Sequence, residues 1–168
     1  MDVFDRVMSK FYGYYRWLYR GGRPSALAKV MNKSAAFQFS RGWLDRWGGV
    51  TLEVPGRKSG AATSVPLVLA EVGGRPYLVS MLGAKANWVL NVKANGDRAT
   101  LVSKSAREVL LHDVPVEARA AIIKRYLDLA PGARPHIRVD HRAPLPEFEA
   151  IASDIPVFEV EYVDPTSR

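Results

Sequence analysis

Five short apolar, β-branched runs follow one another between Val50 and Val114: VTLEV, TSVPLVLAEV, RPYLVSM, RATLV and REVLLHDV. Turn residues bound each run, which is the pattern of strands. Between them only residues 83–96 (GAKANWVLNVKANG) leave room for a helix, with Trp88, Val89 and Val92 on one face. Parallel strands need a crossover of about a dozen residues or more, so most of these strands can pair only antiparallel. A doubly wound parallel sheet is excluded, and an α+β chain with an antiparallel sheet that closes into a barrel is expected. Gly73-Gly74 predicts a two-residue hairpin turn. Pro66, inside the second run, predicts an edge or a bulge, because proline cannot donate to a strand ladder. A helix is expected over 115–130, where Pro115 and Pro131-Gly132 supply start and stop signals. A short helix at 146–153 and a last strand, IPVFEVEYV, complete the order.

Charge is unevenly placed. Residues 1–46 carry nine Lys/Arg and three Asp/Glu, so they hold +6 of the chain's net +7. Phe4, Val7, Met8, Phe11, Tyr15 and Leu18 recur at helical spacing until Gly21-Gly22, which predicts a helix over 2–20. Arg6, Lys10, Arg16 and Arg20 are interleaved with Tyr12, Tyr14, Trp17 and Tyr19. Such a helix can pack on the domain or lie on an anionic membrane surface, and both uses stay open. The expected organisation is a basic helical segment over 1–46 and a barrel over 47–168, one domain overall.

With no cysteine, disulfides and thiolate metal sites are excluded. No apolar run approaches the roughly 20 residues of a membrane span. The N-terminus has no secretory pattern, since Asp2, Asp5, Arg6 and Lys10 interrupt its apolar residues. A cytoplasmic location is expected, with peripheral contact at the inner face of the cell membrane as the variant. Charge alone suggests nucleic acid, and no recognisable motif accompanies it, so none is expected as partner.

The chemistry concentrates at GRKSG, residues 56–60. A turn needs the glycines for their backbone freedom, but it does not need Arg57, Lys58 and Ser59. Guanidinium, ammonium, hydroxyl and exposed backbone N–H are the groups that hold phosphate or carboxylate oxygens. This is not a Walker loop: Arg57 stands before Lys58 where that loop requires glycine, and a strand follows instead of a helix. His112, His136 and His141 lack the HExxH spacing, no GxSxG elbow is present, and no metal is expected.

GRKSG followed by SVPLVL, then YLVS, then GAKANWVLNVKANG, resembles the deazaflavin-dependent nitroreductase family, also called F420H2-dependent quinone reductases. YLDLAPGARPH through PVFEV is similar as well, and the likeness runs over residues 43–162 or so. It implies a split β-barrel, FMN-binding-like and mainly antiparallel, with flanking helices. It implies coenzyme F420 as cofactor, and hydride transfer from reduced deazaflavin to a small apolar conjugated acceptor: a quinone, enone or nitro compound. By that resemblance Arg57, Lys58, Ser59 and Gly60 bind the phosphate and acidic tail. Backbone near Pro66, Leu67, Ser80 and Met81 lines the ring, and Gly83, Ala84, Asn87, Trp88 and Asn91 close the site. Tyr126, His136 and Ser80 are the candidate proton donors. Thr63 occupies a place that many relatives give to arginine, which would lower phosphate affinity. A homodimer is allowed and not required. Two other readings stay open: a non-catalytic barrel holding F420, haem or a fatty acid, and an FMN-dependent oxidoreductase of the same fold.

Overall fold

The computed structural model describes residues 48–163. The expected helix over 2–20 and the whole basic segment 1–46 lie outside the described residues. Six strands form: β1 (Gly49–Pro55), β2 (Ala62–Val72), β3 (Arg75–Val79), β4 (Arg98–Val102), β5 (Ala106–Asp113) and β6 (Val157–Tyr162). They close a barrel in the order β1-β2-β3-β6-β5-β4. Every neighbouring pair is antiparallel, and β1 against β4 completes the ring. The expected architecture is the observed one.

Alternation divides the apolar residues between two cores, because successive strand residues point to opposite faces. Val50, Leu52, Val54, Leu78, Leu101, Leu111, Phe158 and Val160 fill the barrel interior. The helix α1 (Asn87–Ala94) adds Trp88, Val89 and Val92 to that interior. The Trp88 ring meets Phe158 edge-on, with centroids 5.5 Å apart. On the outer face, Ala70, Tyr77, Val79 and Val157 pack beneath α2 (Arg119–Leu129) and α3 (Leu145–Glu149). Phe148 and Phe158 are wholly buried, and each burial stabilises the fold by about 1.5–3 kcal/mol. Arg119 ties the start of α2 to the approach of β6: Nε donates to Val114 O at 2.7 Å, and Nη1 to Ala152 O and Ile155 O at 3.3 Å.

Two local expectations are refined. Gly73 and Gly74 both take positive φ (60° and 76°), the hairpin geometry that favours glycine. Pro66 does not make a bulge, since the β1–β2 register runs unbroken from Gly49↔Val68 to Pro55↔Ala62. It does stand on an edge. The β2–β3 ladder spans only Leu69↔Leu78 to Val72↔Arg75. Residues 62–68 therefore pair with β1 alone among the described strands, and proline's missing N–H is harmless there.

Candidate functional site

The β1–β2 turn is built to hold its shape. Gly56 N–H donates to Ala61 O at 2.8 Å, Gly60 N–H to Gly56 O at 2.7 Å, and Ala61 N–H to Ser59 Oγ at 3.3 Å. Gly60 has φ +68°, and a Cβ on Gly56 would come within 3.0 Å of Ser59 Oγ. Gly60 is thus favoured by its backbone angle and Gly56 by the close packing inside the turn, and Arg57, Lys58 and Ser59 are exposed at the tip.

The two adjacent cations then part company. Arg57 folds back onto α1: its backbone N–H donates to Asn91 Oδ1 at 3.2 Å, and its Nη1 donates to Asn91 Oδ1 at 2.9 Å and Asn87 Oδ1 at 3.5 Å. Lys58 makes no hydrogen bond or ion pair to any described residue. Its ammonium is available to a ligand. The first turn of α1 carries no side-chain cap and no acidic residue, so its positive end adds to the local field. Thr63, absent from the sequence candidates, belongs here too: it donates to Val54 O at 2.7 Å and accepts from Asn91 Nδ2 at 3.4 Å.

From this turn runs the edge of β2, which no described strand other than β1 pairs. Its residues Val65, Pro66, Leu67, Val68 and Leu69 are all half-buried, whereas Val50, Leu52 and Val54 of β1 are buried outright. Continuing the ladder would set Leu67 opposite Ser80, but the chain turns away there. Ser80 Oγ donates to Gly83 O at 2.8 Å and Gly83 N–H returns to Ser80 O at 3.0 Å, with Gly83 at φ +77°. The result is an apolar strand edge facing a tight turn, with Met81 half-buried and Ala84 exposed beside it.

Several site candidates take other places. Trp88 does not close the site from outside: it lies on the inward face of α1 and packs in the barrel. The Leu67 side chain also points inward, so only its backbone can meet a ligand at the edge. Ser80 is fully buried with its proton given to Gly83 O, which makes it a brace of the turn and removes it as a proton source. Tyr126 is buried on α2, in the cluster against which Val68 and Met81 pack. Burial pushes its phenol pKa up, and its hydroxyl makes no hydrogen bond to a described residue. His136 is half-buried in the segment after α2, with its backbone N–H on Ala133 O at 2.9 Å.

Elsewhere, His112 meets Glu161 at 2.5 Å on the outer face of the barrel and His141 lies 3.6 Å from Asp140. Among the described residues no group of three His, Cys, Asp or Glu side chains is placed to hold a metal ion, and no helix is long and apolar enough to cross a membrane. A pocket of about 270 Å³ opens against Glu53, Asn95, Arg98, Thr100 and Glu108. It contains none of the candidate residues, and its two carboxylates would repel an acidic ligand.

Residues 32–146 match the family model described as F420H(2)-dependent quinone reductase. No curated protein gives a significant match. Among solved structures, an F420-H2 dependent reductase (FDR-A) is 26% identical, with 68% of this chain and 94% of that one covered at a TM-score of 0.45. An F420 reductase is 15% identical, with 84% and 97% covered and a TM-score of 0.46. A domain-swapped dimer is 23% identical, with 82% and 100% covered and a TM-score of 0.47.

Proposed function

Because this chain belongs to the F420H(2)-dependent quinone reductase family, we propose that its acceptor is a flat, apolar, conjugated molecule, a quinone before an enone or nitro compound. The protein is an F420-dependent reductase with coenzyme F420 as its cofactor. One observation carries the assignment of the site: the half-buried apolar edge Val65–Leu69 leads into a turn whose Lys58 has no partner among the described residues. An elongated molecule with a flat apolar ring at one end and an acidic tail at the other matches that sequence of surfaces. The residues present fit F420, which carries a phosphodiester and a glutamate tail.

When bound, reduced F420 supplies a hydride, and the protein has only to place and protect it. Lys58, the Ser59 hydroxyl and the turn's backbone hold the phosphate, a charge-assisted contact worth about 1.5–3 kcal/mol each. Arg57 adds its charge from a position fixed by Asn87 and Asn91. Pro66, the Leu67 backbone and Met81 line the ring and exclude water. Reduction of a quinone to a hydroquinone takes one hydride and one proton from the medium. Tyr126 is the candidate donor to the developing oxyanion, because its cluster packs against Val68 and Met81 at the strand edge; a phenol is protonated at neutral pH and would assist by hydrogen bonding while water supplies the proton.

The test is titration with F420 and FMN, followed by turnover of F420H2 with menadione. Tighter F420 binding and protein-dependent oxidation of F420H2 are expected. Equal or tighter FMN binding would shift the site to a flavin, and F420 binding without turnover across quinones, enones and nitroaromatics would make this a carrier.

A further inference from the structure

Asn91 is one of three buried polar side chains among the described residues, with 6% of its surface exposed. Asparagine is a poor choice inside a helix, since its amide competes with the backbone. Its contacts explain its presence. The Thr63 hydroxyl donates to Val54 O, so its oxygen offers a lone pair to Asn91 Nδ2. That contact turns Asn91 Oδ1 toward Arg57, whose backbone N–H and Nη1 both donate to it. A flipped amide would set its NH2 group against two N–H donors and lose both bonds. The direction of every hydrogen bond from the β1 carbonyl to the turn is therefore fixed by Thr63.

We propose that Thr63 and Asn91 are positioning residues that preset Arg57 and the Gly56–Ala61 turn for an anion, holding the turn in its binding shape before the cofactor arrives. This rests on the reading that the turn takes the cofactor phosphate. A loop ordered in advance loses less conformational freedom on binding, so the anion's contacts convert more fully into affinity. Thr63 touches no ligand in this scheme; it acts through Asn91.

Thr63→Val keeps the side chain's shape, including the methyl that lies under Gly56, and removes only the hydroxyl. Thr63→Ser keeps the hydroxyl and loses the methyl. Each full-length variant is titrated with F420 and with the deazaflavin core that carries its ribityl chain but no phosphate. Wild type should favour F420. Thr63→Val should weaken F420 binding about fivefold, the scale of one lost orienting contact, and leave binding of the phosphate-free core unchanged. Thr63→Ser should restore the wild-type ratio. A Thr63→Val ratio equal to wild type, or a parallel loss for both ligands with a lower melting temperature, overturns the proposal and leaves the phosphate reading standing. If wild type itself does not distinguish the two ligands, the turn takes no phosphate, and the reading and the proposal fall together.

Discussion

Arg57 and Lys58 are neighbours with the same charge, yet their removal should have different consequences. Lys58 has no described partner, so Lys58→Ala should leave stability within about 0.5 kcal/mol, as for an ordinary surface substitution. Its loss should cost a charge-assisted contact to phosphate, about 1.5–3 kcal/mol. The residue is exposed, and solvent screening favours the lower end of that range. Roughly 10- to 30-fold weaker F420 binding at low salt follows, at about 1.4 kcal/mol per factor of ten. Arg57→Ala removes the Nη1 bonds to Asn91 and Asn87 and spares the backbone N–H bond to Asn91 at 3.2 Å. Asn91 Oδ1 thus keeps one donor, and the stability loss should be about 1 kcal/mol, or roughly 2–4 °C in melting temperature for a chain of this size. Fluorescence titration with F420 gives the affinities and thermal melts give the stabilities. Both titrations repeated in high salt should converge, because exposed charge is screened over about 3 Å at 1 M. A Lys58→Ala protein that melts as early as Arg57→Ala, or that binds F420 within twofold of wild type, would refute this division of roles.

Three further outcomes are expected. Tyr126→Phe should lower turnover at least tenfold, toward the roughly 100-fold cost of a lost oxyanion donor, with F420 affinity unchanged and a melting temperature close to wild type, since the ring and its packing are kept; unchanged turnover would exclude the donor role. Because burial raises the Tyr126 pKa above 10.0, the unfolded chain ionises first, and the tyrosine's contribution, full below pH 10, is lost as pH climbs beyond it. Wild type should therefore lose stability more steeply than Tyr126→Phe between pH 10 and 11, and parallel curves would count against the burial. Gly48→Ala should destabilise by about 2 kcal/mol or more, because Gly48 sits at φ +67° and an added Cβ would lie 2.5 Å from the Leu69 carbonyl oxygen; an unchanged melt would contradict the β1–β2 entry geometry.

The barrel is legible in the sequence because its walls obey a two-residue period and its turns use residues with few alternatives. Leu69 and Leu78 face inward while Ala70, Tyr77 and Val79 face outward, and this alternation separates neighbouring residues of one strand into different cores. Pro66 correctly predicts an edge, since the ladder to β3 stops before it. What the pattern does not carry is which groups will meet across the fold. Ser80 follows a strand, and its commitment to Gly83 O depends on a turn that no spacing rule specifies. Trp88 is an aromatic in a motif with an expected site role, yet its place on α1's buried face decides for packing. Tyr126 has helical spacing that marks it as core, and only the tertiary arrangement shows that Val68 and Met81 share its cluster.

GRKSG and NWVLN say little apart, and the structure explains why they say more together. Arg57 reaches Asn87 and Asn91, residues 30 and 34 positions later. The turn needs α1 to hold its guanidinium, and α1 has reason to bury an asparagine only if donors wait on the other side. Each motif supplies what the other lacks: hydrogen-bond donors on a glycine-shaped turn, and an acceptor on a helix whose opposite face fills the barrel. Lys58 stands outside this arrangement. The pair fixes the turn that carries Lys58, beside the β2 edge, without engaging Lys58 itself. A contact of this kind constrains two distant stretches at once, so their joint appearance is a stronger sign of the proposed anion-binding turn than the cations alone.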